Sequence, residues 1–291
     1  MLAKAQGLDA DEVFLDLEDA VAPDAKGEAR NNIIAALRDG DWSGKTVALR
    51  VNDWTTEWTH RDVIDTVGAV GDRIDTVILP KADSPHHVAA LDLLLTQVES
   101  TTDRDTPIGI EVQIESARGL LDIDAIATAS ARVEALVFGP ADFMASLNMR
   151  SLVVGEQPPG YDVGDAYHYA LMRILVTARA NDLQAIDGPY LQVRDVEGFR
   201  RAARASAALG YDGKWVLHPD QVDAGNEVFA PAQADYDRAE AILDAYAHAT
   251  SDAGGRRGAV MLGEEMIDEA SRKMALVVAA KGRAAGLRRS N

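Results

Sequence analysis

The sequence predicts an α/β fold of the (β/α)8 TIM-barrel class with a C-terminal helical extension, and three observations lead to it. Short apolar runs rich in β-branched residues alternate with stretches of helical periodicity, the pattern of parallel strands buried on both faces. Polar side chains follow those runs: VFLDL leads into Glu18 and Asp19, TVALR ends at Arg50, TVILP precedes Lys81, GIEVQI precedes Glu115, ALVFGP leads to Asp142, LQAI ends at Asp187 and KWVL at His218. In parallel barrels the loops after the strands converge at one end, where the chemistry is done, so these positions nominate one pocket. Finally, the chain has 291 residues, and a barrel of about 250 leaves room for an appendage.

Taken in order, LAKAQGLDADE reads as the tail of a helix and a turn before a strand over 13–17. Helices are expected at 24–38, 59–70, 84–98 with Ser84 as N-cap, 117–130, 165–180 and 195–209. The Gly- and Pro-rich stretch 151–164 interrupts the rhythm as an active-site loop does. This makes seven strand and helix units, one short of closure, so a first strand is expected upstream of Met1. From 230 the pattern changes. AQADYDRAEAILDAYAHA reads as an amphipathic helix, SDAGGRRGA as a flexible linker, and GEEMIDEASRKMALVVAAKGRAAG as a second helical stretch with Met266, Ile267, Met274 and Val278 on an apolar face that needs covering. The expected division is 1–228 for the catalytic barrel and 229–291 for a helical lid or oligomerisation segment.

Composition narrows the function. A formal charge of -18 repels nucleic acid and anionic membranes. A phosphate-bearing ligand would need a local basic patch, for which Arg30, Arg50 and Lys81 are placed. There is no cysteine, which excludes a disulfide framework, a thiolate metal site and a cysteine nucleophile. No apolar run approaches the roughly 18 to 20 residues of a membrane helix, so a cytoplasmic protein with no membrane partner is expected.

Among the strand-end residues, Glu115 and Asp142 are two carboxylates from neighbouring strands, a pair that suits Mg2+ and leaves coordination positions for substrate and water. The alternative is that one of them favours a helix N-terminus. Arg50 ends a buried strand, where an unpaired guanidinium is costly. Its anion is either a protein carboxylate, with Glu18 and Asp19 nearest, or a substrate. His218 and Asp187 read more readily as structural hydrogen-bonders.

The strings DLEDAVAPDAKGEAR, ALRVN, ILPKAD, IESARG, FGPADF, DGKWVLHPDQV and MIDEAS span nearly the whole chain. In that order they resemble the HpcH/HpaI aldolase/citrate lyase beta subunit family, most of all its malyl-CoA, β-methylmalyl-CoA and citramalyl-CoA lyases. The family usually opens with an arginine-containing strand before a segment like MLAKA, where this chain begins. The stretch GEQPPGYDVGDAYHYALMR is more similar to the malyl-CoA lyases than to the shorter citrate lyase subunits.

The resemblance implies a (β/α)8 barrel, Mg2+ (Mn2+ as the alternative ion), Claisen-type chemistry on a coenzyme A thioester with a small 2-oxo acid, and a homotrimer or homohexamer. It implies Glu115 and Asp142 as metal ligands, Arg50 as donor to the substrate and thioester oxygen, and Glu18 and Asp19 as acids near the metal. Lys81 is implied at a CoA phosphate or beside a nearby acid. Asp268, in MIDEAS, is implied as the general acid or base that an adjacent subunit supplies. The expected reaction is reversible cleavage of L-malyl-CoA or β-methylmalyl-CoA into glyoxylate and acetyl-CoA or propionyl-CoA. Alternatives are a malyl-CoA thioesterase, a citramalyl-CoA lyase, a CoA-independent metal aldolase acting on pyruvate, and a non-catalytic CoA-ester-binding or citrate-lyase-type complex subunit.

Overall fold

Seven strands pair in parallel in chain order: β1 (Glu12–Asp16), β2 (Thr46–Arg50), β3 (Thr76–Leu79), β4 (Gly109–Ile114), β5 (Val133–Phe138), β6 (Gln184–Asp187) and β7 (Gly213–Lys214). A strand laid beside its predecessor after each helical crossover is the winding of a (β/α)8 barrel. The wall has seven strands and, among the described residues, none joins β7 to β1. The coordinates are a computed structural model that describes residues 2–102, 104–154 and 157–290. They divide into two compact units, Met1–Gly225 and Asn226–Asn291. No helix among the described residues is long and apolar enough to cross a membrane.

Alternation along the strands sorts the wall into layers. Phe14, Ala48, Ile78, Val137, Ile186 and Trp215 meet in one apolar cluster inside it. The Phe14 and Trp215 rings stack at 4.4 Å. One step towards the N-terminal ends, Thr76 donates to Glu111 at 2.5 Å. One step towards the C-terminal ends, the Arg50 guanidinium lies 5.7 and 5.5 Å from the Phe14 and Trp215 ring centres. The aromatic pair is therefore a floor beneath the polar strand ends.

Most expected helices form. Lys26–Asp39 follows a short 3-10 turn, and Pro85–Glu99 is capped by Ser84, which accepts from the His86 N–H at 3.2 Å. Val196–Leu209 starts at an Asp195 cap and ends at Gly210, whose φ of 114° suits glycine. The expected helix over 117–130 is instead two, Ala117–Leu121 and Ile123–Ala127. The helix expected from 165 starts at His168, because the Asp165 side chain accepts from the Tyr167 N–H. Within 59–70 the middle turn, Asp62–Val67, is π-wound. Its Asp62 carboxylate is buried and accepts from Arg30, from the Asn52 N–H and from the Asn52 amide. The stretch 151–164 has neither helix nor strand among its described residues, and positions 155 and 156 lie outside them.

The second unit departs further from expectation. Its helix Gln233–Thr250 packs Tyr236 and Ala239 against Ala275 and Ala279 of the helix Glu269–Ala284. Before that second helix, β8 (Val260–Leu262) and β9 (Glu265–Ile267) form an antiparallel hairpin. Residues 264–267 are therefore not helical. Gly263, at φ 62°, turns the chain as a two-residue hairpin loop requires. SDAGGRRGA is not a free linker either: the Arg257 N–H donates to the Ala249 carbonyl at 2.8 Å, and Gly254 leaves no room for a Cβ against His248. Of the apolar face, Ile267 is already buried and Val278 packs on the Tyr236 cluster, while Met266 and Met274 are exposed.

Candidate active site

The chain leaving β1 is fixed from behind. The Lys26 ammonium donates to the carbonyls of Leu17 (2.7 Å) and Glu18 (2.8 Å), and the Asn52 amide also donates to Leu17. That anchoring holds Asp16 and Glu18 beside Arg50 at the end of β2. Arg50 grips Asp16 with two parallel hydrogen bonds, Nε to Oδ1 at 2.8 Å and Nη2 to Oδ2 at 2.6 Å, and its Nη1 lies 3.1 Å from Glu18. Three of its five N–H donors are engaged, so two remain for a ligand. Burial opposes the guanidinium charge, but Asp16, Glu18 and Glu115 outweigh it and raise its pKa. Asp16 is held low because Arg50 outweighs its burial, whereas burial raises Glu18 in spite of Arg50 and Lys81.

After β3, Lys81 adopts a left-handed φ of 49°, which costs a residue with a Cβ about 1–2 kcal/mol. That turn aims its backbone N–H at Glu115 Oε1, 2.7 Å away, while its ammonium pairs with Glu18 and lies 3.4 Å from Asp19. Glu115, at the end of β4, is 3% exposed, and its Oε2 accepts from the Gln113 amide at 2.6 Å. Beyond β5, Gly139 is the only residue type that fits, since a Cβ there would lie 2.3 Å from Glu115 Oε2. Pro140 then opens the helix Pro140–Ser146, which places Asp142 in its first turn, where a carboxylate is favoured.

Burial, and then the nearby charge of Asp142, push the Glu115 carboxyl up to about 8. Among the described residues neither Glu115 nor Asp142 forms an ion pair, unlike Asp16 and Glu18. Two carboxylates that raise each other's cost of ionisation, neither held in an ion pair among the described residues, are the donor set a divalent ion would relieve. No group of three His, Cys, Asp or Glu side chains among the described residues could hold a metal ion, so an ion held by Glu115 and Asp142 would complete its shell from water or substrate. That fits Mg2+, which retains several such positions.

Glu18, Asp19, Arg50, Lys81, Glu115 and Asp142 thus gather at one end of the barrel wall. Others do not join them. Arg30 pairs with Asp62 and Asp65. Asp187 pairs with Lys214 at 2.6 Å, and His218 caps the turn Pro219–Gln221. Asp268 belongs to the second compact unit, where it caps its own helix and accepts from the Ser271 N–H at 3.0 Å. The principal partner of Arg50 is Asp16, with Glu18 second and Asp19 not involved, so the nearest-acid expectation was incomplete. Asp16, Lys26, Gln113 and Gly139 were missed. The inward alternation Phe14–Asp16 and Gln113–Glu115 is the signal that could have found two of them.

The chain as a whole is similar to known proteins. A family model described as HpcH/HpaI aldolase/citrate lyase matches residues 1–219. An L-malyl-CoA/beta-methylmalyl-CoA lyase of Cereibacter sphaeroides is 39% identical over 279 residues, covering 92% of this chain and 86% of the relative. A (3S)-malyl-CoA thioesterase of the same species is 32% identical over 248 residues, covering 85% of this chain and 79% of that protein. Among solved structures, CitE of Mycobacterium tuberculosis in complex with magnesium, acetoacetate and coenzyme A superposes with a TM-score of 0.71 at 28% identity, covering 94% of this chain and 90% of that one.

Proposed function

Because the chain belongs to the HpcH/HpaI aldolase/citrate lyase family, we propose that it reversibly cleaves a 3-hydroxyacyl-CoA of the L-malyl-CoA or β-methylmalyl-CoA kind. The products would be glyoxylate and acetyl-CoA or propionyl-CoA. The observation that carries this reading is the unpaired carboxylate couple Glu115 and Asp142 beside an arginine with donors to spare. The 39% identity to a lyase of that specificity supports the substrate class.

Glu115 and Asp142 would hold Mg2+, or Mn2+, which supplies Lewis-acid polarisation and a template for the carboxylate and hydroxyl oxygens of the substrate. Glu18, with its raised pKa, is suited to take the hydroxyl proton. The electron pair of the C2–C3 bond then moves onto the thioester as an enolate, and the free N–H groups of Arg50 stabilise its oxygen. A proton delivered to C2 by Asp268 of a neighbouring subunit completes the acyl-CoA. In this reading the protein is a homo-oligomer, because the acid comes from a second chain, and the family resemblance favours a homotrimer or homohexamer. Lys81 and Asp19 border the thioester side, and a CoA phosphate there would compete with Glu18 and Asp19 for the Lys81 ammonium.

The test is to incubate the protein with Mg2+, acetyl-CoA or propionyl-CoA, and either glyoxylate or pyruvate, and to identify products by mass. A condensed acyl-CoA from glyoxylate supports the proposal, and one formed only from pyruvate indicates a citramalyl-CoA lyase. Accumulation of free CoA with malate indicates a thioesterase, the reading favoured by the 32% identical relative. No turnover with any pair would leave a CoA-ester-binding subunit.

A further inference from the structure

We infer that Gln113 is a positioning residue that locks the Glu115 carboxylate in the orientation needed to take a divalent cation, an inference that rests on the metal reading above. β4 is buried along its whole length, and its inward alternation sets Glu111, Gln113 and Glu115 in one line through the barrel. Gln113 occupies the step level with the apolar layer, where Leu or Met would fill space without a polar group to accommodate.

What the amide adds is one donor. Its Nε2 donates to Glu115 Oε2 at 2.6 Å, while the Lys81 N–H donates to Oε1 at 2.7 Å. Two donors, one on β4 and one in the turn after β3, fix the plane of the carboxylate, and each oxygen keeps a lone pair for a cation. The opposite end of the amide, Oε1, is buried and has no hydrogen-bond partner among the described residues. Its orientation is therefore set by Glu115 alone, since turning it over would face acceptor against acceptor. Gly139 completes the fit: a Cβ there would lie 2.3 Å from Glu115 Oε2 and 2.9 Å from Gln113 Nε2. A buried amide with one idle acceptor and one donor spent on a candidate ligand is the arrangement by which outer partners orient metal-binding side chains, and losing such a partner typically weakens metal affinity about 10–100-fold.

The inference is tested by Mn2+ titration of the full-length protein without substrate, followed by electron paramagnetic resonance of the free ion. Gln113→Met keeps the volume and removes the donor, and Gln113→Asn keeps an amide too short to reach. Both are expected to weaken Mn2+ binding at least tenfold relative to wild type. If Gln113→Met does not fold, Gln113→Asn decides. A Kd within twofold of wild type, even with a lowered melting temperature, would mean that Gln113 only packs, and would overturn the inference while leaving the metal reading intact. Wild-type protein that binds no Mn2+, or Glu115→Ala that binds it equally well, would overturn the metal reading and this inference with it.

Discussion

At the scale of single residues, the site is a contest between burial and charge. Arg50 sits over two aromatic rings and is kept charged by Asp16 and Glu18, so its geometry matters more than its charge alone. Arg50→Lys retains the charge but loses the paired grip on Asp16, and turnover is expected to fall more than tenfold in a steady-state assay. Glu115 gives a pH signature. Its pKa is raised from an ordinary 4.5 to about 8, so between those values the folded protein holds a proton there that the unfolded chain gives up. In the metal-free protein this contribution to stability is therefore full below pH 4.5 and is lost as pH rises through about 8. A cation must displace that proton, so Mn2+ affinity is expected to tighten by up to about tenfold per pH unit and to level off above pH 8. Calorimetric titration in two buffers of different ionisation heat reads the released proton directly. Glu115 and Asp142 were legible in the sequence because each follows an apolar strand. Asp16 was not, because it lies inside the run VFLDL, and only the β1–β2 register, Asp16 opposite Arg50, shows which cation it meets.

At the scale of elements, the strands were legible because buried parallel strands leave continuous β-branched runs, and β4 and β5 fall where GIEVQI and ALVF stand. The hairpin over 260–267 was not, because its Glu, Met and Leu residues favour helices and mask a short strand. Gly263 and the Asp268–Ser271 capping box set the true boundary. The link from β5 to the helix carrying Asp142 makes its own prediction. Gly139 has a φ of -104°, outside the left-handed region, so Gly139→Ala acts by placing a methyl against Glu115 and the Gln113 amide that holds it. Turnover is expected to drop at least tenfold. An alanine variant with unchanged turnover would show that Glu115 tolerates displacement.

At the scale of the whole molecule, the chain consists of a seven-stranded parallel wall and a helical second unit, and the placement of Asp268 decides whether one chain suffices. Asp268→Asn keeps the helix cap and removes the acid, so the melting temperature should hold while activity is lost. Co-expressed with Glu115→Ala, it should regain part of the activity in mixed oligomers that join an intact wall to an intact second unit. Verified mixed oligomers without rescue would assign Asp268 to capping alone. The central claim, a metal-dependent carbon–carbon lyase acting on CoA thioesters at Glu115 and Asp142, is tested most directly by mass analysis of the acyl-CoA formed from glyoxylate and acetyl-CoA or propionyl-CoA. The account predicts a product containing both halves with Mg2+, and none in EDTA or with Glu115→Ala. The same product formed at an undiminished rate in EDTA would contradict it.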